Sequence, residues 1–169
     1  MKEDIKRFIR VDHAGEYGAE RIYAGQLAVL GRGAKGELLR HMLAQETAHK
    51  QAFEALMAAR RSRPTALLPL WHAAGFALGA LTAALGERAA MACTVAVEET
   101  IDAHYARQRD ALPESEAELK DTIERFRREE LEHRDIGLAH GAEQAPAYRL
   151  LSRAIRLGCQ AAIRLSETI

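Results

Sequence analysis

Glu46-Thr47-Ala48-His49 and Glu130-Leu131-Glu132-His133 are two copies of one spacing, E-x-x-H. On a helix, residues three apart lie on one side, so each copy stacks a carboxylate and an imidazole one turn apart. Each copy also falls inside an apolar stripe. The first runs Leu39, Met42, Glu46, His49, Phe53, Leu56 and the second Leu119, Ile123, Phe126, Glu130, His133, Gly137. A single such pair belongs by default to a solvated face. Acid and imidazole repeated in the inward stripes of two helices need another explanation, because buried charge must be paired or bind metal.

Each motif is preceded by a further helix with an acid on its apolar side. In the first, Glu16 shares a stripe with Tyr23, Leu27 and Leu30, and Glu20, one turn on, is its rival. In the second, Glu98 lies in phase with Met91, Val95 and Tyr105, the face continuing through Ile101 or Asp102. Glu16 precedes Glu46 by 30 residues and Glu98 precedes Glu130 by 32, so a helix with one inward Glu followed by a helix with E-x-x-H occurs twice. The breaks support this division: Gly31-Arg-Gly-Ala-Lys-Gly36, Arg61-Ser-Arg-Pro64, Leu112-Pro113 and Gly141 to Pro146. The first helix is expected from a cap near Asp12 to about Leu30, with the apolar residues of Ile5 to Val11 allowing an earlier start. The next is expected over Glu37 to Arg60.

Two hairpins, 5–60 and 87–140, joined by a crossover at 65–86 and followed by a helix at 147–166, form an all-α architecture. It is a ferritin-like four-helix bundle with a long apolar crossover helix and an additional C-terminal helix, in one domain over 1–169. Four carboxylates in its core would repel one another and be driven towards protonation. Two divalent cations cancel four carboxylates, and two imidazoles bind without adding charge. Such ligands do not by themselves separate iron from manganese or zinc.

The formal net charge is zero, which gives no bulk attraction to nucleic acid. Cys93 and Cys159 make no disulfide framework, and they read as small packing residues in a reducing, cytoplasmic setting. The Met-Lys-Glu-Asp start is too short and acidic for a mitochondrial transit peptide, so a bacterial chain or a mature form is expected. Residues 65–86 hold no Asp, Glu, Lys or Arg over a length near the roughly 20 residues that cross a bilayer. Pro69, His72, Gly75, Gly79 and many alanines make the segment only weakly apolar. A buried crossover helix, or one lying against a membrane, is expected instead.

The wording of three segments is more specific. Arg10-Val-Asp-His-Ala-Gly-Glu-Tyr-Gly-Ala19 with Arg21-Ile-Tyr-Ala-Gly25, Thr94-Val-Ala-Val-Glu-Glu-Thr-Ile101 with His104-Tyr105, and Glu129-Glu-Leu-Glu-His-Arg-Asp-Ile-Gly137 resemble the demethoxyubiquinone hydroxylase family. Ala145-Pro-Ala-Tyr148 and the Leu165-Ser-Glu ending are similar too, so the likeness runs nearly end to end. The resemblance implies a di-iron monooxygenase that hydroxylates the ring of a polyprenyl demethoxyquinone, with Glu16, Glu46, His49, Glu98, Glu130 and His133 as metal ligands. It selects Glu16 over Glu20 and Glu98 over Glu99. It also implies two iron ions, dioxygen as co-substrate and two external electrons, with NADH as a reductant. No G-x-G-x-x-G dinucleotide fingerprint is present.

A polyprenyl substrate resides in the bilayer, which gives the 65–86 and 147–166 helices a purpose as an apolar path, with Arg149, Arg153 and Arg156 near anionic head groups. The expected setting is peripheral, at the cytoplasmic face of a bacterial inner membrane. An accessory lipid-presenting protein and a homo-oligomer are expected partners. Tyr105 is placed at the pocket wall or in proton relay, and His104, off the ligand face, in bonding to a neighbour of the site. His13, His41, His72 and His140 lack matching partners and read as structural or exposed; Trp71 and Phe76 anchor the crossover at an interface or fill space. Two other classes share the fold and much of the ligand set: a ferritin-like iron storage or metal-buffering protein, and a manganese catalase-like enzyme. The first needs surfaces for a large closed assembly, whereas this chain invests in lipid-like helices, and the second needs no apolar substrate path.

Overall fold

The computed structural model describes residues 2–169. Its long helices are α1 (Lys2–Leu30), α2 (Gly33–Arg60), α3 (Leu68–Ala84), α4 (Glu87–Ala111), α5 (Ala117–Ala139) and α6 (Tyr148–Thr168), with single 3₁₀ turns at Glu114–Glu116 and Ala142–Gln144. The fold is all-α and ferritin-like. Helices α1 and α2 form one hairpin and α4 and α5 the other, α3 crosses between them, and α6 lies across α4 and α1.

Helix α1 starts at Lys2, ahead of the apolar residues of Ile5 to Val11, and it passes through Asp12 without a break. Asp12 is therefore no cap. Ile5 and Ile9 are buried and anchor the early turns, while the Asp12 carboxylate reaches across to α4 and accepts from Gln108 Nε2 at 2.9 Å. Helix α2 begins at Gly33, a turn earlier than its composition suggests, and ends at Arg61 in the left-handed conformation shortly before Pro64. The second motif's stripe is buried at every expected position. In the first motif's stripe, Met57 takes the place expected for Leu56.

The core is divided. One apolar cluster gathers Ile5, Ile9, Phe53, Tyr105, Ile123 and Phe126. Another gathers Tyr23, Leu39, Met42, Met91, Val95 and Ala142. The residues of the two E-x-x-H motifs lie along the helices between these clusters. Helix α4 is the hub, buried without interruption from Ala89 to Glu98. Its small residues in that stretch let helices approach it from several sides.

Helix α3 packs on α1 through its glycines. A Cβ at Gly79 would lie 1.9 Å from the Ile22 carbonyl oxygen, and one at Gly25 would lie 2.2 Å from that of Phe76. The two backbones are thus in direct contact. Among the described residues, no helix is long and apolar enough to cross a membrane. Substituting Gly79→Ala must separate α3 from α1 and is expected to cost about 1–3 kcal/mol in thermal or urea unfolding. Gly18→Ala, whose added methyl would meet no atom within 4 Å, is expected to be neutral or slightly stabilising through helix propensity.

Candidate metal centre

Six residues from four helices converge between the two apolar clusters. Glu16 (α1), Glu46 and His49 (α2) and Glu130 (α5) form one group; Glu46, Glu98 (α4), Glu130 and His133 (α5) form a second. Within each group the ligand atoms lie within 4.8 Å of one another, and all six residues are buried. Glu46 and Glu130 belong to both groups, so the arrangement is two adjacent positions sharing two carboxylates. Helices α2 and α5 meet here through long side chains; at the end of α2, Arg60 also reaches Glu116, in the 3₁₀ turn just before α5, at 2.6 and 2.9 Å.

The imidazoles face inward through Nδ1. His49 Nδ1 lies 3.4 Å from Glu16 Oε2 and 3.0 Å from Glu130 Oε1. His133 Nδ1 lies 3.1 Å from Glu46 Oε1, 3.3 Å from Glu130 Oε2 and 4.0 Å from Glu98 Oε1. Each of the six residues leaves at least one buried atom without a hydrogen-bond partner: Glu16 Oε2, Glu46 Oε1, His49 Nδ1, Glu98 Oε2, both oxygens of Glu130 and His133 Nδ1. Orphaned polar atoms are costly in a protein interior. Their concentration at one point, on hard oxygen and imidazole donors, fits a pair of divalent cations.

Two tyrosines brace the outer carboxylates in reciprocal fashion. Tyr23 of α1 donates to Glu98 of α4 at 2.8 Å, and Tyr105 of α4 donates to Glu16 of α1. In sequence each tyrosine follows the acid of its own helix by seven residues, so a repeated E-x₆-Y was available to find this. Both phenols are fully buried, and their pKa values are pushed well above the usual range by burial and by the carboxylate each one faces. They act as hydrogen-bond donors at neutral pH. Tyr105 thus touches the cluster, whereas His104 belongs to neither group and points its Nε2 at Asp12 Oδ1, 3.2 Å away.

The rival acids are engaged elsewhere. Glu20 pairs with Lys50 at 2.5 Å, and Glu99 accepts from Arg156. His13 is buried, 3.6 Å from Glu54, while His41, His72 and His140 are exposed, and Tyr17 and His72 share a 2.8 Å hydrogen bond. Cys93 is buried and Cys159 partly so; neither forms a disulfide. Trp71 donates from Nε1 to Ser166 Oγ at 3.1 Å, which ties α3 to the end of α6.

A cavity of about 540 Å³ opens on the other side of α1 and α4, walled by α1, α3, α4 and α6. Its lining is almost wholly apolar, including Gly18, Leu78, Ile101, Ile155 and Gly158. Gly15 and Val97 also line it, and they are the chain neighbours of Glu16 and Glu98.

The charge state of the metal-free cluster follows from burial and mutual repulsion. Burial, then the charge of Glu130, raises Glu46 and Glu98 well above the usual carboxylate range. Burial opposes a charge on His49, but the Glu130 and Glu16 carboxylates outweigh it and push its pKa up to about 12. Glu130 likewise resists its own burial and falls to about 2 through the two histidines. Protons therefore occupy the cluster where cations are absent.

A bundle in which each of two hairpins supplies one glutamate and one E-x-x-H defines a ferritin-like dimetal carboxylate protein. Comparison of sequences narrows this class. The chain belongs to the family of the ubiquinone biosynthesis protein COQ7, whose model matches residues 3–166. The 3-demethoxyubiquinol 3-hydroxylase of Rhodospirillum rubrum is 64% identical over 166 residues, covering 98% of this chain and 78% of that protein. The mitochondrial NADPH-dependent 3-demethoxyubiquinone 3-hydroxylase of Mus musculus is 60% identical over 167 residues, covering 96% and 77%. The mitochondrial 5-demethoxyubiquinone hydroxylase of Saccharomyces cerevisiae is 41% identical over 182 residues, covering 98% and 78%. The chain is a non-haem di-iron oxidoreductase of this family.

Cation binding must displace the protons held by the cluster, so apparent metal affinity is expected to rise with pH. Anaerobic titration of the metal-free chain with Fe²⁺ in weakly buffered solution should acidify it. Glu46→Ala, which removes a carboxylate common to both positions, should abolish the paired binding and the acidification with it.

Proposed function

We propose that this chain hydroxylates the ring of a polyprenyl demethoxyubiquinone-type substrate in ubiquinone biosynthesis, with Glu16, Glu46, His49, Glu98, Glu130 and His133 holding two iron ions. The observation that carries this reading is the position of the buried donor set, back to back with an apolar cavity across α1 and α4. The whole of 1–169 works as one ferritin-like di-iron domain. In the net reaction a ring C–H becomes C–OH, and the second oxygen atom of dioxygen leaves as water with two external electrons and two protons. When bound, the iron pair supplies the activation of dioxygen.

The chain's own residues do the rest. Tyr23 and Tyr105 hold the outer carboxylates by hydrogen bonds, and the apolar clusters on either side keep water from the centre. Tyr105, hydrogen-bonded to Glu16, serves as a proton relay rather than a net acid, and His104 orients Asp12, one turn before Glu16. The cavity between α3 and α6 receives the polyprenyl tail, and Ile101, which a Cβ added at Gly15 would touch, shapes its inner wall.

Exposed Leu70, Phe76, Leu81 and Leu85 on and after α3, with Leu150, Leu157 and Leu165 on α6, give the cavity's two outer walls an apolar surface. This favours peripheral attachment to a bilayer, at the cytoplasmic face of a bacterial inner membrane. Arg149 and Arg153 are exposed and suit anionic head groups, whereas Arg156 is committed to Glu99. Electrons come from a reduced nicotinamide nucleotide, NADH or NADPH. The same apolar walls suit an accessory lipid-presenting protein or a second copy of the chain.

The test uses the full chain in detergent, with metal analysis and aerobic turnover of a demethoxyubiquinone under NADH or NADPH. A pair of irons and ring hydroxylation are expected. Gly158→Phe, which fills the cavity, should raise KM for a long-tailed substrate about tenfold and leave the iron content unchanged. A hollow cage of many subunits that takes up iron far beyond a pair would instead make this a storage protein.

A further inference from the structure

Each E-x-x-H extends one residue upstream, and the added residue serves the other motif. Gln45, just before Glu46, accepts through Oε1 from His133 Nε2 at 2.9 Å. Glu129, just before Glu130, accepts through Oε2 from His49 Nε2 at 2.5 Å. When a cation displaces the inner proton, these bonds keep the remaining proton of each imidazole on Nε2 and leave the Nδ1 lone pair for the metal; both Nδ1 atoms face the cluster and are without hydrogen-bond partners. The two braces are alike in position and unlike in chemistry. One acceptor is a neutral amide and the other is a carboxylate.

A carboxylate behind an imidazole makes it the stronger donor. Four inner carboxylates already balance two divalent cations. Glu129 adds a fifth behind His49 alone, and its side chain is 31% exposed, so it escapes most of the desolvation borne by the inner four.

We infer that the two metal positions are inequivalent, and that the one formed by Glu16, Glu46, His49 and Glu130 binds a divalent cation first and more tightly because Glu129 braces His49. Glu129 and Gln45 are positioning residues that act through the imidazoles. The inference rests on the dimetal reading given above and goes beyond it, since that reading requires only that two ions bind.

The test is titration of the metal-free full chain with Co²⁺, followed by calorimetry and by the visible absorption of the bound ion. The unmodified chain should bind two ions in resolved steps. Glu129→Gln should weaken the first step about tenfold or more and shift the absorption of the first ion. Glu129→Asp should restore part of both. Gln45→Glu should tighten the second step and bring it towards the first. Glu132→Gln, at an exposed acid on the same helix, should change neither. Two ions binding to the unmodified chain with the first step untouched by Glu129→Gln, or equally weakened by Glu132→Gln, would overturn this inference alone. If Glu129→Gln does not fold, a Gln45→Glu chain whose second step fails to tighten overturns it. Binding of fewer than two ions by the unmodified chain would overturn the dimetal reading itself.

Discussion

Four glutamates held within a few ångströms of one another, away from water, set the terms for the rest of this molecule. Such a cluster is unstable unless positive charge enters it, as two metal ions or as protons on its histidines and carboxylates. Everything adjacent serves that requirement. Apolar clusters above and below deny water as an alternative partner, and phenol, amide and carboxylate groups fix the ligands from behind.

The supports follow the approximate twofold relation of the two hairpins. Tyr23 and Tyr105 exchange across the bundle to each other's glutamate, and Gln45 and Glu129 exchange to each other's histidine. A side chain that braces its own helix constrains little, because the helix already fixes that spacing. One that braces the opposite hairpin sets the distance between hairpins, and so the size of the space between the ligands. The symmetry is then broken at points where function needs direction: the apolar cavity lies on the α1–α4 side, and of the two histidine braces one carries charge.

Much of this was legible because helical periodicity is strict. Glu46, His49, Glu130 and His133 stand in stripes that are otherwise apolar, and the 3.6-residue period leaves them nowhere to go but inward. Periodicity alone does not separate Glu16 from Glu20, since both lie within a turn of the buried face; the family wording selects Glu16, and Lys50 draws Glu20 aside. Asp12 misled as a cap because an acid before an apolar run has that local signature, whereas its actual partners, Gln108 and His104, lie on another helix. The cross-bracing was harder still. Its donors and acceptors are about 75 to 90 residues apart in the chain, and nothing local records which helices face each other.

The backbone contact between α3 and α1 has a consequence for how a bulky, flexible molecule could enter. Gly79 and Gly25 leave no compressible layer of side chains between these helices, and α1 carries Glu16, so any outward swing of α3 would also disturb the metal ligands. Helix α6 is different: it buries only Ser152, Ile155 and Ser166 and holds no ligand. Of the cavity's two outer walls, one is set by backbone contact and the other is held by side-chain bonds, from Trp71 to Ser166 and from Arg156 to Glu99.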